Sequence, residues 1–276
     1  MSKAYDQSKP ILCYLDEEFL ASDEARHVRV LSELTAPGFR LNREGITQTI
    51  VFFGSARSKS MNEVRSDIEA IEGRNDLVEV VTEGMKDARV HAEMDLKLAR
   101  YYEQARELAK RLTLWSDSIL QPEKRFTICT GGGPGMMEAA NRGASEAGGT
   151  SIGFNIHLPM EQDPNPYQRS QLSFEFHYFF VRKFWFAFLA KALIVFPGGF
   201  GTMDELFELL TLIQTKKSKK VPIVLYGKEF WNGVFNFDKL LEWRVISPED
   251  LEMFSIVDTV EEAFTLLQTK LTEQFL

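Results

Sequence analysis

Short apolar runs alternate along this chain with amphipathic helical segments, and that alternation restricts its fold more than any other feature. The runs are "TIVFFGSAR" (49–57), "FTICTGGG" (126–133), "TSIGFNIHL" (150–158), the strand-like "SFEFHYFF", "ALIVFPGG", "KVPIVLYG" (220–227) and "FSIVDT". Helical spacing marks "HAEMDLKLARYYEQARELAKRLTLWSDSI" (91–119), "GMMEAANRGASEAG" (135–148), "VRKFWFAFLAK" and "TMDELFELLTLIQTKK". Strands that are continuously apolar are buried on both faces, and helices between them imply right-handed crossovers. The expected fold is therefore α/β, a doubly wound parallel sheet with helices on both faces. Ligands of such sheets bind outside the carboxyl ends of the strands.

Two segments stand apart from the alternation. Residues 1–45 read as an N-terminal helical arm: "DEEFLASDEARHVRVLSEL" has helical spacing, and the proline and glycine of "TAPGFRLNREGI" are expected to break it. Residues 46–276 then form one domain, interrupted at 58–90 by a charged insertion, either a helix or helical hairpin or a surface excursion. The net charge of −8 argues against a nucleic-acid or anionic-membrane surface. The two cysteines, Cys13 and Cys129, form no disulfide framework or zinc site and suit a reducing cytoplasm. The first residues have no basic region leading into an apolar stretch, so no signal peptide is expected. Arg182, Lys183 and Lys191 interrupt the longest apolar window, which excludes a membrane span there.

Three runs end in small residues: "FFGSAR", "TGGGPGMME" and "FPGGFGTMDE". Backbone without Cβ lets an anion approach closely, and a helix starting just beyond supplies free N–H groups and positive dipole. Pro134 suits the first turn of one such helix. Thr202 can cap the next or donate its hydroxyl to a phosphate. Neither turn is the P-loop G-x-x-x-x-G-K-S/T, and neither is a dinucleotide G-x-G-x-x-G with an acid some twenty residues on. Tight helix–strand packing also demands glycine, but two such turns in one parallel sheet favour anion binding.

"GGGPGMMEAANRGA" together with "RKFWFAFLAKALIVFPGGFGTMDELFELL" resembles the LOG (LONELY GUY) family over about residues 48–228. That family's hallmark is P-G-G-x-G-T-x-x-E preceded by an Arg-Lys pair, and Pro197, Gly198, Gly199, Gly201, Thr202 and Glu205 all match. The resemblance implies a Rossmann-like fold, a homodimer or higher oligomer, and hydrolysis of the N-glycosidic bond of nucleoside 5′-monophosphates to base and ribose 5-phosphate. It implies no cofactor and no metal, and it makes Arg182 and Glu205 the catalytic pair. The chemistry fits those residue types. A carboxylate answers an oxocarbenium-like sugar or activates water, and a permanently charged arginine stabilises and positions.

On the residues alone, Glu205 is equally a favourable carboxylate near a helix N-terminus, and the motif decides for function. Gly54, Ser55, Gly131, Gly132, Gly133, Gly135, Gly198, Gly199, Gly201 and Thr202 are the candidate nucleotide and phosphate contacts. Lys183 either contacts the ligand or covers its helix. Glu138 either binds ribose hydroxyls or complements the helix dipole. Asp204, about 100° from Glu205 around the helix, is expected to be solvated or paired. Arg57 departs from the commoner Gly-Ser-Ser of the family, as does the insertion after it.

The histidines at 27, 91, 157 and 177 share no metal-ligand spacing. The nine aromatics between 174 and 188 have core spacing, yet exceed what one helix stripe buries, which predicts a dimer packed partly through them. A non-catalytic nucleotide sensor or scaffold is the alternative to the enzyme. Although lysine decarboxylase is a frequent label for this family, the chain lacks a His-Lys dipeptide for a Schiff base, and its glycine turns supply phosphate sites only.

Overall fold

The computed structural model describes residues 10–75, 83–159 and 163–276, with the backbone alone for 71–75 and 83–90. Seven strands form one parallel sheet: β1 (Thr49–Phe53), β2 (Thr127–Thr130), β3 (Ser151–Ile156), β4 (Ser173–Phe176), β5 (Ala190–Val195), β6 (Ile223–Tyr226) and β7 (Phe254–Val257). Their spatial order is β4-β3-β2-β1-β5-β6-β7. The α-helices are α1 (Glu17–Ala21), α2 (Arg26–Arg43), α3 (Met61–Asn75), α4 (Glu83–Asp117), α5 (Met136–Glu146), α6 (Phe179–Leu189), α7 (Phe200–Gln214), α8 (Lys228–Val234), α9 (Phe237–Glu242) and α10 (Val260–Phe275).

Both faces of the sheet are covered, as continuously apolar strands require. Val51, Phe53, Leu193 and Val195 pack with Leu41 of α2, Trp185 and Phe186 of α6, and Leu206 and Leu209 of α7. The alternate residues Ile50, Phe52, Ala192 and Ile194 pack with Leu108 and Leu112 of α4, Ala139 and Ala140 of α5, and Leu267 and Leu271 of α10. The chain builds outward from β1 to β4, then returns to lay β5 on the other side of β1. That reversal puts a crevice at the carboxyl ends of β1 and β5.

Several expected boundaries are corrected. The "TAPG" stretch does not break its helix, because α2 runs through Pro37 and Gly38 to Arg43. Proline removes the N–H that would bond the carbonyl four residues back. Here the Glu33 carbonyl accepts instead from the indole Nε1 of Trp185, at 3.0 Å. A Cβ at Gly38 would stand 3.0 Å from the Trp185 ring, so the glycine lets α2 close onto α6.

"SFEFHYFF" divides, with β4 ending at Phe176 and α6 beginning at Phe179. Pro134 lies before its helix rather than in the first turn, since Gly135 is the N-cap of α5. The segment 58–90 contributes α3 and the start of α4, which pack together; its residues 76–82 lie outside the described residues.

Candidate active site

Hydrogen bonds tie the three small-residue turns into one platform at the carboxyl edge. Ser55, just after β1, donates its N–H to the Pro197 carbonyl (2.9 Å), and its own carbonyl accepts from Met136 N–H (3.0 Å). Its hydroxyl accepts from the Arg57 N–H at 3.1 Å. A Cβ on Gly54 would come within 2.6 Å of Met136 and 3.0 Å of Phe196. Packing of the platform thus explains this glycine.

The β2–α5 turn is held from beneath. Gly132 and Gly135 have φ of 74° and 73°, where side chains are rarely accommodated. Added Cβ atoms would also strike Asn155 and the Ser55 carbonyl. Gly132 N–H donates to Thr130 Oγ1, and that hydroxyl donates to Asn141 Oδ1. The buried Asn165 amide donates to the carbonyls of Gly132 (3.0 Å) and Gly133 (2.9 Å), and to Asn141 Oδ1 (2.9 Å). Gln168 donates to the Gly132 carbonyl as well.

Neither Asn165 nor Asn141 stood out in the sequence. The available signal was an asparagine locked between two prolines in "DPNPY". Glu138 sits in the first turn of α5 and accepts from the Tyr102 hydroxyl at 2.8 Å. Burial, then the bond to Glu138, push that phenol's pKa upward.

The β5–α7 turn differs. The α-helix begins at Phe200 with Gly199 as N-cap, so Thr202 is its third residue and supplies no side-chain cap. A Cβ on Gly198 would strike Thr202, but one on Gly199 or Gly201 would meet nothing within 4 Å.

Glu205 is the sixth residue of α7, past the first turn where a carboxylate is favoured by the dipole alone. Its side chain is 7% exposed, and that of Arg182, on the first turn of α6, is 14% exposed. Their closest approach, Nη2 to Oε1, is 3.6 Å, which is an ionic contact but too long for a hydrogen bond. Arg182 Nε is buried without a hydrogen-bond partner among the described residues. The guanidinium carbon lies 5.2 Å from the Phe179 ring centroid and 5.7 Å from that of Phe186.

Burial raises the Glu205 pKa from near 4.5 to about 7, and the charges of Arg182 and Lys183 only partly oppose it. Burial likewise lowers that of Arg182, against Glu205 and Asp204, although a guanidinium stays charged at any working pH. Lys183 pairs with Asp204 (2.8 Å) and Glu208 (2.9 Å), so Asp204 is paired and Lys183 bridges α6 to α7. Burial opposes the lysine's charge, but these two carboxylates outweigh it and its pKa is raised. Beside the pair, Glu205, Lys183, Glu208, Phe186, Phe53 and Leu193 line a cavity of about 20 Å³. That is about the space of one water.

Residues 137–267 match a family model described as "Possible lysine decarboxylase". The family match takes in Arg182, Lys183 and the whole Pro197–Glu205 motif, whereas α2 and the turns at 54–55 and 131–135 precede it. Over 155 residues the chain is 28% identical to the probable cytokinin riboside 5′-monophosphate phosphoribohydrolase LOG4 of Oryza sativa subsp. japonica, covering 55% of this chain and 64% of that protein. Over 116 residues it is 31% identical to the pyrimidine/purine nucleotide 5′-monophosphate nucleosidase of Escherichia coli (strain K12), covering 38% of this chain and 25% of that protein. The chain therefore spans less than two thirds of the length of these relatives. The Moco carrier protein from Chlamydomonas reinhardtii superposes with a TM-score of 0.45 at 19% identity, covering 82% of this chain and 99% of that one. No helix among the described residues is long and apolar enough to cross a membrane.

Proposed function

We propose that the protein hydrolyses the N-glycosidic bond of nucleoside 5′-monophosphates, releasing the base and ribose 5-phosphate. The observation that carries this reading is the Arg182–Glu205 pair. A structural ion pair so deeply buried closes with short, mutual hydrogen bonds, because desolvation is otherwise uncompensated. This pair stays at 3.6 Å, and neither side chain makes a hydrogen bond among the described residues. Both groups keep capacity for a substrate.

In the proposed reaction the phosphate lies on the open backbone at Gly199–Thr202, at the N-terminus of α7. Gly54, Ser55, the 131–135 turn and Glu138 line the ribose side. Glu205 takes a proton from water as the water oxygen bonds to the anomeric carbon. The C–N bond breaks with its electron pair leaving on the base nitrogen, which receives the proton that Glu205 took from water, so the carboxylate is restored. Arg182 stabilises the charge that develops and gives up no proton. A carboxyl with a pKa near 7 is suited to this task, since a general base works best close to the operating pH.

The reading includes a homodimer and a cytoplasmic location, the latter fitting two free cysteines. Phe179, Phe180, Phe184 and Phe188 stand 42–61% exposed along α6. Phe184 and Phe188 stack at 5.2 Å. Such an aromatic ridge is suited to a second copy of the chain, related by two-fold symmetry.

The test is incubation with AMP and a panel of other monophosphates, followed by chromatography. Equimolar base and ribose 5-phosphate are expected, from a species twice 31.6 kDa by light scattering. Saturable binding without any base released would instead make the protein a nucleotide sensor.

A further inference from the structure

Helix α2 lies outside the family-matched residues, yet it grips the helix that carries Arg182. The N-cap of α6, Tyr178, makes no side-chain cap of its own. Instead the Glu33 carboxylate of α2 accepts from the backbone N–H of His177 (2.9 Å) and of Tyr178 (3.2 Å). The carbonyl of the same residue accepts from Trp185 Nε1, about two turns further along α6. One residue therefore holds the mouth and the middle of the helix at once. Arg40 fixes the lower end of α2 by donating to the Ser173 carbonyl at 2.6 Å, with its guanidinium 3.9 Å from the Phe174 ring centroid.

We propose that Glu33 is a positioning residue, holding the first turn of α6 so that Arg182 faces Glu205. The inference rests on the proposed reaction. Arg182 is four residues from Tyr178 and donates its backbone N–H to the Tyr178 carbonyl at 3.2 Å. Rotation or fraying of that turn therefore moves the guanidinium directly. A clamp at the N-cap is effective because the amides there have no partner within the helix. The carboxylate also complements the dipole. Pro37 and Gly38 gain a role in the same device: the proline frees the Glu33 carbonyl for Trp185, and the glycine admits the indole.

The experiment compares Glu33→Ala and Glu33→Gln with the parent. For the alanine variant, kcat for AMP falls about tenfold while KM changes less than about twofold, as expected when a remote change misplaces a catalytic group. The glutamine, which keeps one acceptor oxygen, recovers part of the loss. A second readout follows Glu205, which is faced by Arg182 and Lys183 of α6 and by Asp204 and Glu208 of α7. With Arg182 drawn back, the midpoint of the pH–rate curve moves up by about half a unit.

The same midpoint is read without turnover, from urea unfolding of each protein against its Glu205→Gln derivative across pH. Loss of activity in proportion to folded protein, with the midpoint unmoved, overturns the proposal. So does parent-like behaviour of Glu33→Ala in both readouts. A parent that releases no base defeats the proposed reaction, and the unfolding midpoint then still decides whether Glu33 holds Arg182 in place.

Discussion

The two glycine turns look alike in sequence but are explained by different things. At 131–135, the protein itself accounts for Gly131, Gly132 and Gly135: positive φ at the last two, and Met137, Asn155 and the Ser55 carbonyl where Cβ atoms would go. At 198–201, the protein accounts only for Gly198, which makes room for Thr202. Gly199 and Gly201 face open space in ordinary backbone conformations. A glycine whose cost is not recovered in packing needs another reason, and close approach of a ligand supplies one. In the proposed site the first turn serves as a wall and the second as the floor. That division makes opposite demands on mutants, and it can be broken.

The largest effect belongs to the group beside the open turn. Glu205→Gln keeps the volume and removes the proposed base, so kcat should fall by about 10²–10⁴-fold with the fold intact. Parent-like turnover in the variant would move the chemistry elsewhere. The parent's rate should also rise with pH through about 7. Stability moves the opposite way. The folded pKa of Glu205 lies above its unfolded value near 4.5, so between those values the native state holds a proton that the unfolded chain has lost. Stability from this group is therefore full below pH 4.5 and falls as pH rises through about 7, by about 3 kcal/mol. Urea unfolding of parent and Glu205→Gln across that window should show the difference, with the slope absent from the variant.

The clamped turn should fail by unfolding. Gly135→Ala forces a Cβ into the Ser55 carbonyl at a φ of 73°, which should cost about 2–4 kcal/mol of stability. Asn165→Ala frees two carbonyls and the Asn141 oxygen at once, for about 1–3 kcal/mol. Loss of nucleotide binding in either variant at unchanged melting temperature would show that this turn, too, serves the ligand alone.

These two residues also mark how far the sequence could be read. The alternation of apolar and amphipathic runs was enough for the sheet and its two helical layers, because buried strands and crossover helices are set by local pattern. That Arg182 and Glu205 come together was legible through the motif, and the paired Asp204 through helix geometry. Asn165 was not, because its importance lies in which carbonyls it meets across 32 or 33 residues. Pro37 departs from the expected helix break for a related reason. Proline ends a helix when the carbonyl it orphans stays unpaired, and here Trp185, far along the chain, supplies the partner. Sequence pattern alone suggests a helix start near Thr202 with that residue as a possible cap, whereas the helix starts at Phe200.

The smallest structural effect should come from Gly201→Ala, and it tests the comparison most sharply. Gly201 is the second residue of α7, has no positive φ, and its added methyl meets no protein atom within 4 Å. Alanine is also the better helix former, by about 1 kcal/mol in a helix interior and less at its first turn. Melting temperature should therefore stay level or rise slightly. If the open backbone is the phosphate's floor, the same methyl stands where the anion must lie. KM for a monophosphate should then rise about tenfold, a loss of about 1.4 kcal/mol, with the unphosphorylated nucleoside affected little. A variant that is less stable but still discriminates for the phosphate would place Gly201 with the packed glycines. One that is stable and discriminates as strongly as the parent would leave the open turn without its ligand.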